Sequence, residues 1–273
     1  AGLHLVVDCA HGAAYRTAPD TLGELGADIL AMGVAPDGLN INLDCGATAP
    51  KVMARTVRDA GADIGICLDG DADRLILSDE KGTICDGDQI LAALALDLQS
   101  RGSLQGPVIG TVMSNLGLER CLADAGIAFE RAPVGDRYIA QRMQETGSQL
   151  GGEPSGHILL PELTRTGDGL IAALQILAIM ARSGRKASQI LSSFIPIPQK
   201  LVNLKDMDKA VLTHPDIKAE MAAVTKELGE EGRILLRPSG TEPLIRVMVE
   251  ALDEAVLDAA MQRLVAALKT VSG

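Results

Sequence analysis

Three aspartates alternate along Asp69-Gly70-Asp71-Ala72-Asp73-Arg74, directly after the apolar run from Asp63 to Leu68. Carboxylates at i, i+2 and i+4 repel one another unless a cation sits among them. Hard oxygen donors on a short loop suit Mg²⁺. Asp69, Asp71 and Asp73 are therefore the candidate metal ligands, and a solvated acidic turn is the plain alternative. An EF-hand loop is excluded: counting from Asp69, Glu80 falls at position 12, but Arg74 holds position 6, where that loop turns on Gly. A phosphatase with Asp69 as nucleophile and Asp71 as acid/base also fits the spacing.

Three further loops carry groups with chemistry. Gly151-Gly152-Glu153-Pro154-Ser155-Gly156-His157 packs a carboxylate, a hydroxyl and an imidazole among glycines, which let backbone approach a ligand closely. Glu153 can accept from two neighbouring sugar hydroxyls. The alternative is a glycine-rich turn with a capping His157. In Arg237-Pro238-Ser239-Gly240-Thr241-Glu242-Pro243-Leu244-Ile245-Arg246, two guanidinium groups, two hydroxyls and a run of N–H groups make a phosphate cradle. The alternative is a tight hairpin. In Val134-Gly135-Asp136-Arg137-Tyr138, Arg137 could meet a phosphate or Asp136 could cap a helix.

The elements that position these loops follow from periodicity and breakers. Leu3 to Val7, Asp28 to Met32, Asp63 to Leu68 and Leu75 to Leu77 read as strands, with helices over Pro19 to Leu25 and Val52 to Ala60 closed by Gly26 and Gly61. The alternation continues in Ile90 to Leu98 (helix), Val108 to Val112 (strand), Leu116 to Asp124 (helix), Ala128 to Ala132 (strand) and Tyr138 to Glu145 (helix). A strand over Ile158 to Leu160 and an apolar helix over Leu170 to Arg182 complete it, Asp168 standing near the N-cap. Alternation of this kind predicts helices packed on mixed, mostly parallel sheets. Phe194-Ile195-Pro196-Ile197-Pro198 suits an extended linker. Beyond it, strand, helix, two strands and a helix predict a small α+β domain. The expected organisation is two α/β domains, 1–82 and 83–193, and an α+β domain, 199–273.

Composition narrows the class. Asp plus Glu number 36 against 25 Lys plus Arg, a net charge of −11, which argues against nucleic acid or an anionic membrane as partner. Tyr15, Phe129, Tyr138 and Phe194 are the only aromatic residues, so there is no base-stacking platform. Cys9, Cys45, Cys67, Cys85 and Cys121 are odd in number and widely spaced, against a disulfide framework or zinc site and in favour of a reduced, cytoplasmic setting. No apolar run reaches membrane-spanning length, and no signal peptide is expected from the first residues.

Taken in order, the loops resemble the phosphohexomutase superfamily over essentially the whole chain. The likeness includes Val6-Val7-Asp8-Cys9-Ala10, Pro36 to Asn42, Cys45-Gly46-Ala47-Thr48, the three-Asp loop, Val134 to Tyr138, Gly152 to His157 and Arg237 to Glu250. Asn40-Ile41-Asn42, Gly135-Asp136-Arg137-Tyr138 and Ser239 to Glu250 favour the glucosamine branch over the glucose and mannose branches. Two small departures are Ala72, where the superfamily often has Gly, and Pro154, at a position the family varies. The resemblance implies four domains around a cleft, of which this chain matches the second, third and fourth. It implies interconversion of glucosamine 6-phosphate and glucosamine 1-phosphate through a bisphosphate, feeding UDP-N-acetylglucosamine and cell-wall synthesis. The phosphoserine that carries the phosphoryl group belongs to the first domain, and no serine here stands in a Ser-His-Asn-Pro setting. That N-terminal domain is thus an implied partner, and the chain by itself is expected to be inactive.

By the same resemblance, Asp69, Asp71 and Asp73 hold Mg²⁺, and Glu153 and Ser155 bind the ring hydroxyls. Arg237, Ser239, Gly240, Thr241 and Arg246 clamp the non-reacting phosphate. His157 steers Glu153 or assists proton transfer, and Arg74 pairs with the acidic loop or the transferring phosphate. A homodimer stays open. A glucose or mannose phosphate mutase, or a dehalogenase-type phosphatase using Asp69, is the alternative function.

Overall fold

A computed structural model describes residues 2–239 and 244–272, which divide into two contact-dense units: 2–114 with 118–194, and 115–117 with 195–272. The first unit opens with β1 (His4–Asp8), α1 (Thr17–Glu24), β2 (Asp28–Met32), α2 (Lys51–Ala60), β3 (Ile64–Leu68), β4 (Leu75–Asp79) and β5 (Ile84–Cys85). These strands form one sheet in the order β2-β1-β3-β4-β5. β1 runs parallel to β2 and β3, whereas β4 and β5 are antiparallel. The reversal at β4 has a simple cause. A parallel return needs a crossover of a dozen or more residues, and only the loop 69–74 joins β3 to β4. The acidic loop is thus a hairpin turn at the sheet edge where β1 and β3 both end.

The unit continues with α3 (Gly87–Ser100), β6 (Val108–Thr111), α4 (Leu116–Asp124, whose first two residues belong to the second unit), β7 (Phe129–Ala132), α5 (Asp136–Thr146), β8 (Gly151–Gly152), β9 (Ile158–Leu159), α6 (Gly169–Ser183) and α7 (Ala187–Leu191). The second sheet has the order β7-β6-β8-β9, with β8–β9 antiparallel and the other two pairings parallel. Sequence reading leaves β5, β8 and α7 as loops, because each is too short to show a period.

Two apolar helices start on aspartates. Asp86 accepts from the Asp88 and Gln89 amides at 3.0 and 3.3 Å while Gln89 Oε1 accepts the Asp86 amide, a reciprocal box that opens α3. Asp168 accepts the Ile171 amide at 2.9 Å and opens α6. Both helices are apolar over most of their circumference, which fits burial rather than a surface stripe. They sit in one continuous core with Leu5, Val7, Ile66 and Leu68 of the first sheet and with Val108, Leu118 and Leu122 beside the second. Residues on both sides of position 83 share this core.

The second unit contains β10 (Gln199–Lys205), α8 (Pro215–Leu228), β11 (Gly232–Pro238), β12 (Leu244–Ala251) and α9 (Glu254–Ser272). Its antiparallel sheet has β12 in the centre, order β10-β12-β11. Ile245, Val247 and Val249 face a core completed by Ile217, Val224, Leu257, Leu264 and Leu268 from the helices. No helix among the described residues is long and apolar enough to cross a membrane.

The opposite face of β12 carries a fully buried carboxylate, Glu250. It accepts from Gln199 Nε2 at 2.7 Å and the Leu116 amide at 3.3 Å, and pairs with Arg233. Removing one partner of a buried pair costs about 3–5 kcal/mol, because the other charge stays behind unpaired. Glu250→Ala is therefore expected to lower the unfolding free energy of the second unit by about that amount. Urea unfolding measures it, and a loss under ~1 kcal/mol would show the Glu250 knot to be incidental.

Candidate functional site

β3 is buried along its whole length and delivers Asp69, itself buried, to the carboxyl edge of the sheet. The turn then places Ala72 at φ 64°, a left-handed conformation that disfavours any residue with a Cβ. One oxygen from each of Asp69, Asp71 and Asp73 lies within 4.8 Å of the others. Asp69 Oδ1 accepts the Arg74 amide at 3.1 Å, and Arg74 Nε stands 3.7 Å from Asp69 Oδ2 and 3.8 Å from Asp73 Oδ1. Burial raises the Asp69 carboxyl above its ordinary range; the Arg74 amide opposes this, and Asp73 and Asp71 add to the rise. Asp73 Oδ1 is buried without a hydrogen-bond partner. Three carboxylates with an oxygen each in mutual reach, one of them with an oxygen that accepts no hydrogen bond among the described residues, are a donor set that a hard divalent cation completes, so the residues fit a metal.

The turn is clamped by backbone. Ala13 N donates to Gly70 O at 2.8 Å, and Gly169 N, the first residue of α6, donates to Ala72 O at 2.9 Å. A Cβ on Gly12 would lie 2.3 Å from Gly70 O, and one on Gly169 would lie 2.6 Å from Arg74 O.

The Glu153 loop, between β8 and β9, is bonded to the same turn. Arg74 and His157 form an isolated antiparallel bridge, and Leu75 N donates to Gly156 O at 3.0 Å. Glu153 Oε1 accepts the Gly135 amide at 2.9 Å, and Oε2 accepts Ser155 Oγ at 3.3 Å. His157 is buried. Its Nδ1 lies 3.6 Å from Asp73 Oδ2, and its Nε2 has no hydrogen-bond partner. The structure thus brings Asp69, Asp71, Asp73, Arg74, Glu153, Ser155 and His157 to two adjoining turns. Arg137 is exposed, its guanidinium 4.5 Å from the Tyr138 ring centroid. The capping alternative for Asp136 does not hold: Gly135 is the N-cap of α5, and no side chain caps it.

In the second unit, Arg237 of β11 faces Arg246 of β12 directly across the sheet, and Asn203 of β10 flanks Arg246 on its other side. Like charges at opposed positions destabilise a sheet. Both Nε atoms are buried and have no hydrogen-bond partner among the described residues. Burial lowers the Arg237 pKa, with Arg246 adding to the effect. Ser239 is buried; its N donates to Leu244 O at 2.9 Å and its O accepts Lys209 Nζ at 2.7 Å. Gly240 and Thr241 lie outside the described residues. Sequence reasoning missed Lys209 and Asn203, since neither has a motif around it and both arrive by chain folding.

Three matches identify the chain as a member of the phosphoglucomutase/phosphomannomutase family: alpha/beta/alpha domain II over residues 1–82, alpha/beta/alpha domain III over 86–197 and the C-terminal domain over 201–267. Within that family the chain is similar to the phosphoglucosamine mutase of Jannaschia sp. strain CCS1, 54% identical over 270 residues, covering 98% of this chain and 60% of the relative. It is 50% identical to that of Azorhizobium caulinodans over 272 residues, covering 99% and 61%. The chain therefore spans about 60% of the length of these relatives. Among solved structures, a phosphoglucomutase/phosphomannomutase family protein from Burkholderia thailandensis superposes with a TM-score of 0.83 at 23% identity, over 99% of this chain and 61% of that one. The N-acetylphosphoglucosamine mutase of Aspergillus fumigatus, solved with GlcNAc-6P and magnesium, gives 0.81 at 21% identity, over 100% and 62%. At these identities the structures establish a shared fold.

The raised Asp69 carboxyl has a consequence for the metal-free chain. The native state holds this proton more tightly than the unfolded state, whose carboxyl titrates near 3.8. Stability from this group is therefore present below the unfolded value and is lost as pH rises through the folded one. Asp69→Asn removes the loss. In EDTA at pH 7 the variant is expected to melt above the wild type, and the gap to close as pH falls below 4. A lower melting temperature at pH 7 would show that Asp69 is not under repulsive strain.

Proposed function

We propose that this chain supplies the metal, sugar and phosphate loops of a phosphoglucosamine mutase, an isomerase that interconverts glucosamine 6-phosphate and glucosamine 1-phosphate in the cytoplasm. One observation carries the reading: three mutually repelling carboxylates, one with an orphaned oxygen, are bonded through Arg74 to a loop that presents Glu153, Ser155 and His157. Identity of 50% and above to enzymes so named supports the branch.

Asp69, Asp71 and Asp73 are the proposed ligands of Mg²⁺, which when bound supplies charge neutralisation to a phosphoryl group in transfer. Glu153 accepts hydrogen bonds from two neighbouring ring hydroxyls, and Ser155 adds a third polar contact. Two such acceptor sites read the same pair of hydroxyls when the sugar is turned end for end, which a bisphosphate intermediate requires. His157 holds or receives a proton at Nε2 while Asp73 orients the ring through Nδ1. Arg74 keeps the acidic turn together in the absence of the cation. In the second unit, Arg237, Ser239, Gly240, Thr241 and Arg246 hold the phosphate that does not react. Residues 1–82, 83–193 and 199–273 are taken as the three family domains.

Arg246→Lys is expected to weaken glucosamine 6-phosphate binding at least tenfold. A guanidinium engages two phosphate oxygens in a fixed fork, and an ammonium does not. Calorimetric titration of the chain measures it, and an unchanged Kd would make Arg246 structural.

The residues of this chain position groups and stabilise charge, but none is set to carry a phosphoryl group from one end of the sugar to the other. Given Mg²⁺, glucosamine 6-phosphate and catalytic glucosamine 1,6-bisphosphate, the 273 residues alone are expected to form no glucosamine 1-phosphate. Robust turnover would overturn this account, and release of inorganic phosphate would favour a phosphatase using Asp69.

A further inference from the structure

We infer that Asp8, a buried carboxylate at the end of β1, is the positioning residue that sets the geometry of the Asp69–Asp73 turn without touching it. The inference rests on the metal reading of that turn and extends it to a residue outside the candidate ligand set.

Asp8 is 1% exposed. A carboxylate this deep must have its oxygens satisfied, and backbone amides do so. Oδ1 accepts the Ala10 amide at 3.0 Å, and Oδ2 accepts the Gly46 amide at 2.9 Å. The two amides belong to segments 36 residues apart, so one side chain ties together two loops that nothing in the local sequence joins.

Both loops lean on the acidic turn. The first leaves β1 through Ala10 and His11, at φ 54° and 50°, two successive non-glycine residues in the left-handed region. Each is disfavoured by its Cβ and persists only where surroundings hold it. Ala13 of this loop donates to Gly70 O at 2.8 Å, and Gly12 has no room for a Cβ against the same carbonyl. The second loop brings Gly46 against the last residue of β3: a Cβ on Gly46 would lie 2.4 Å from Leu68 O. Asn42 N donates to Ala10 O at 2.9 Å and closes the ring between the two loops. Leu68 and Gly70 bracket Asp69. Asp8 therefore fixes the two walls against which the first ligand is set.

The position of Gly33 argues against a packing role alone. A Cβ there would lie 2.5 Å from Asp8 Oδ1 and 2.8 Å from Ala10 N. Backbone closes on the carboxylate and its acceptor geometry from the far side, as expected of a group held to a set orientation rather than one merely tolerated in a core.

Asp8→Asn keeps the shape but converts one acceptor oxygen to a donor, so at least one of the two amides loses its partner. The control is Asp79→Ala, because both amide partners of Asp79 bond to its single oxygen Oδ1, which Asn would retain. Asp79 is also buried and also accepts two loop amides, Lys81 at 2.9 Å and Thr83 at 2.8 Å, but it pairs with Ile64 at the end of the β3–β4 hairpin away from the turn. The probe is Mn²⁺, titrated into the 273-residue chain and followed by the paramagnetic resonance of the free ion. Both variants are expected to lower the melting temperature. Only Asp8→Asn is expected to weaken Mn²⁺ binding, by about tenfold or more, the range seen when groups behind metal ligands are removed. Equal Mn²⁺ affinity in the two variants overturns the inference. Should Asp8→Asn not fold, Gly12→Ala, which leaves Asp8 intact and pushes on Gly70 O, must give the same loss; wild-type affinity there also overturns it. Failure of the wild-type chain to bind Mn²⁺ would instead remove the metal assignment itself, and this inference with it.

Discussion

Everything around the candidate site answers to the repulsion among three carboxylates on one turn. With one oxygen of each carboxylate within 4.8 Å of the others, the ionised groups repel. A free loop would relieve that by splaying. This one is held by an Arg74 amide and guanidinium from within, by Ala13 from one side and by Gly169 at the start of α6 from another. Contacts so close to carbonyl oxygens leave no space for a Cβ, which is why Gly12 and Gly169 stand where they do. The strain that remains is the free energy a bound cation releases.

The need to hold the turn explains how the first unit is built. A single hairpin connection reverses β4, which puts Arg74 and Leu75 at the edge facing the β8–β9 turn. The bridge from Arg74 to His157 and the bond from Leu75 to Gly156 then join the two loops by backbone rather than by flexible side chains. Geometry fixed this way is stiff, because α3 and α6 bury their apolar surfaces in one core with the first sheet and with residues beside the second. Charge is managed similarly in the second unit. There Arg237 and Arg246 are set opposite each other, and neither Nε atom has a hydrogen-bond partner among the described residues, an arrangement that an anion would relieve.

Much of this was legible in the sequence because it is local. Buried strands announce themselves as short β-branched runs, and the helices that follow are closed by glycine, as at Gly61 with φ 63°. The Asp69–Asp73 spacing alone predicts mutual repulsion and hence a cation. Aspartates ahead of apolar runs mark the starts of helices, and Asp168 does cap α6. Where local signals were short or ambiguous, reading failed. β5 and β8 are two residues each, below any detectable period, and Asp136 looked like a cap in a position that Gly135 occupies.

The sequence by itself determined which residues carry charge, which strands are buried and which turns are acidic or glycine-rich, since these depend on residue type and spacing alone. Tertiary structure decided which of those turns meet. Asp8 serves Ala10 and Gly46, Asp73 lies beside His157, and Lys209 reaches Ser239, all through pairings that sequence distance does not encode. The physical reason is that a hydrogen bond or an ion pair depends on a few ångströms of separation. Those ångströms are set by sheet register and helix packing across the whole unit, not by the residues that make the contact.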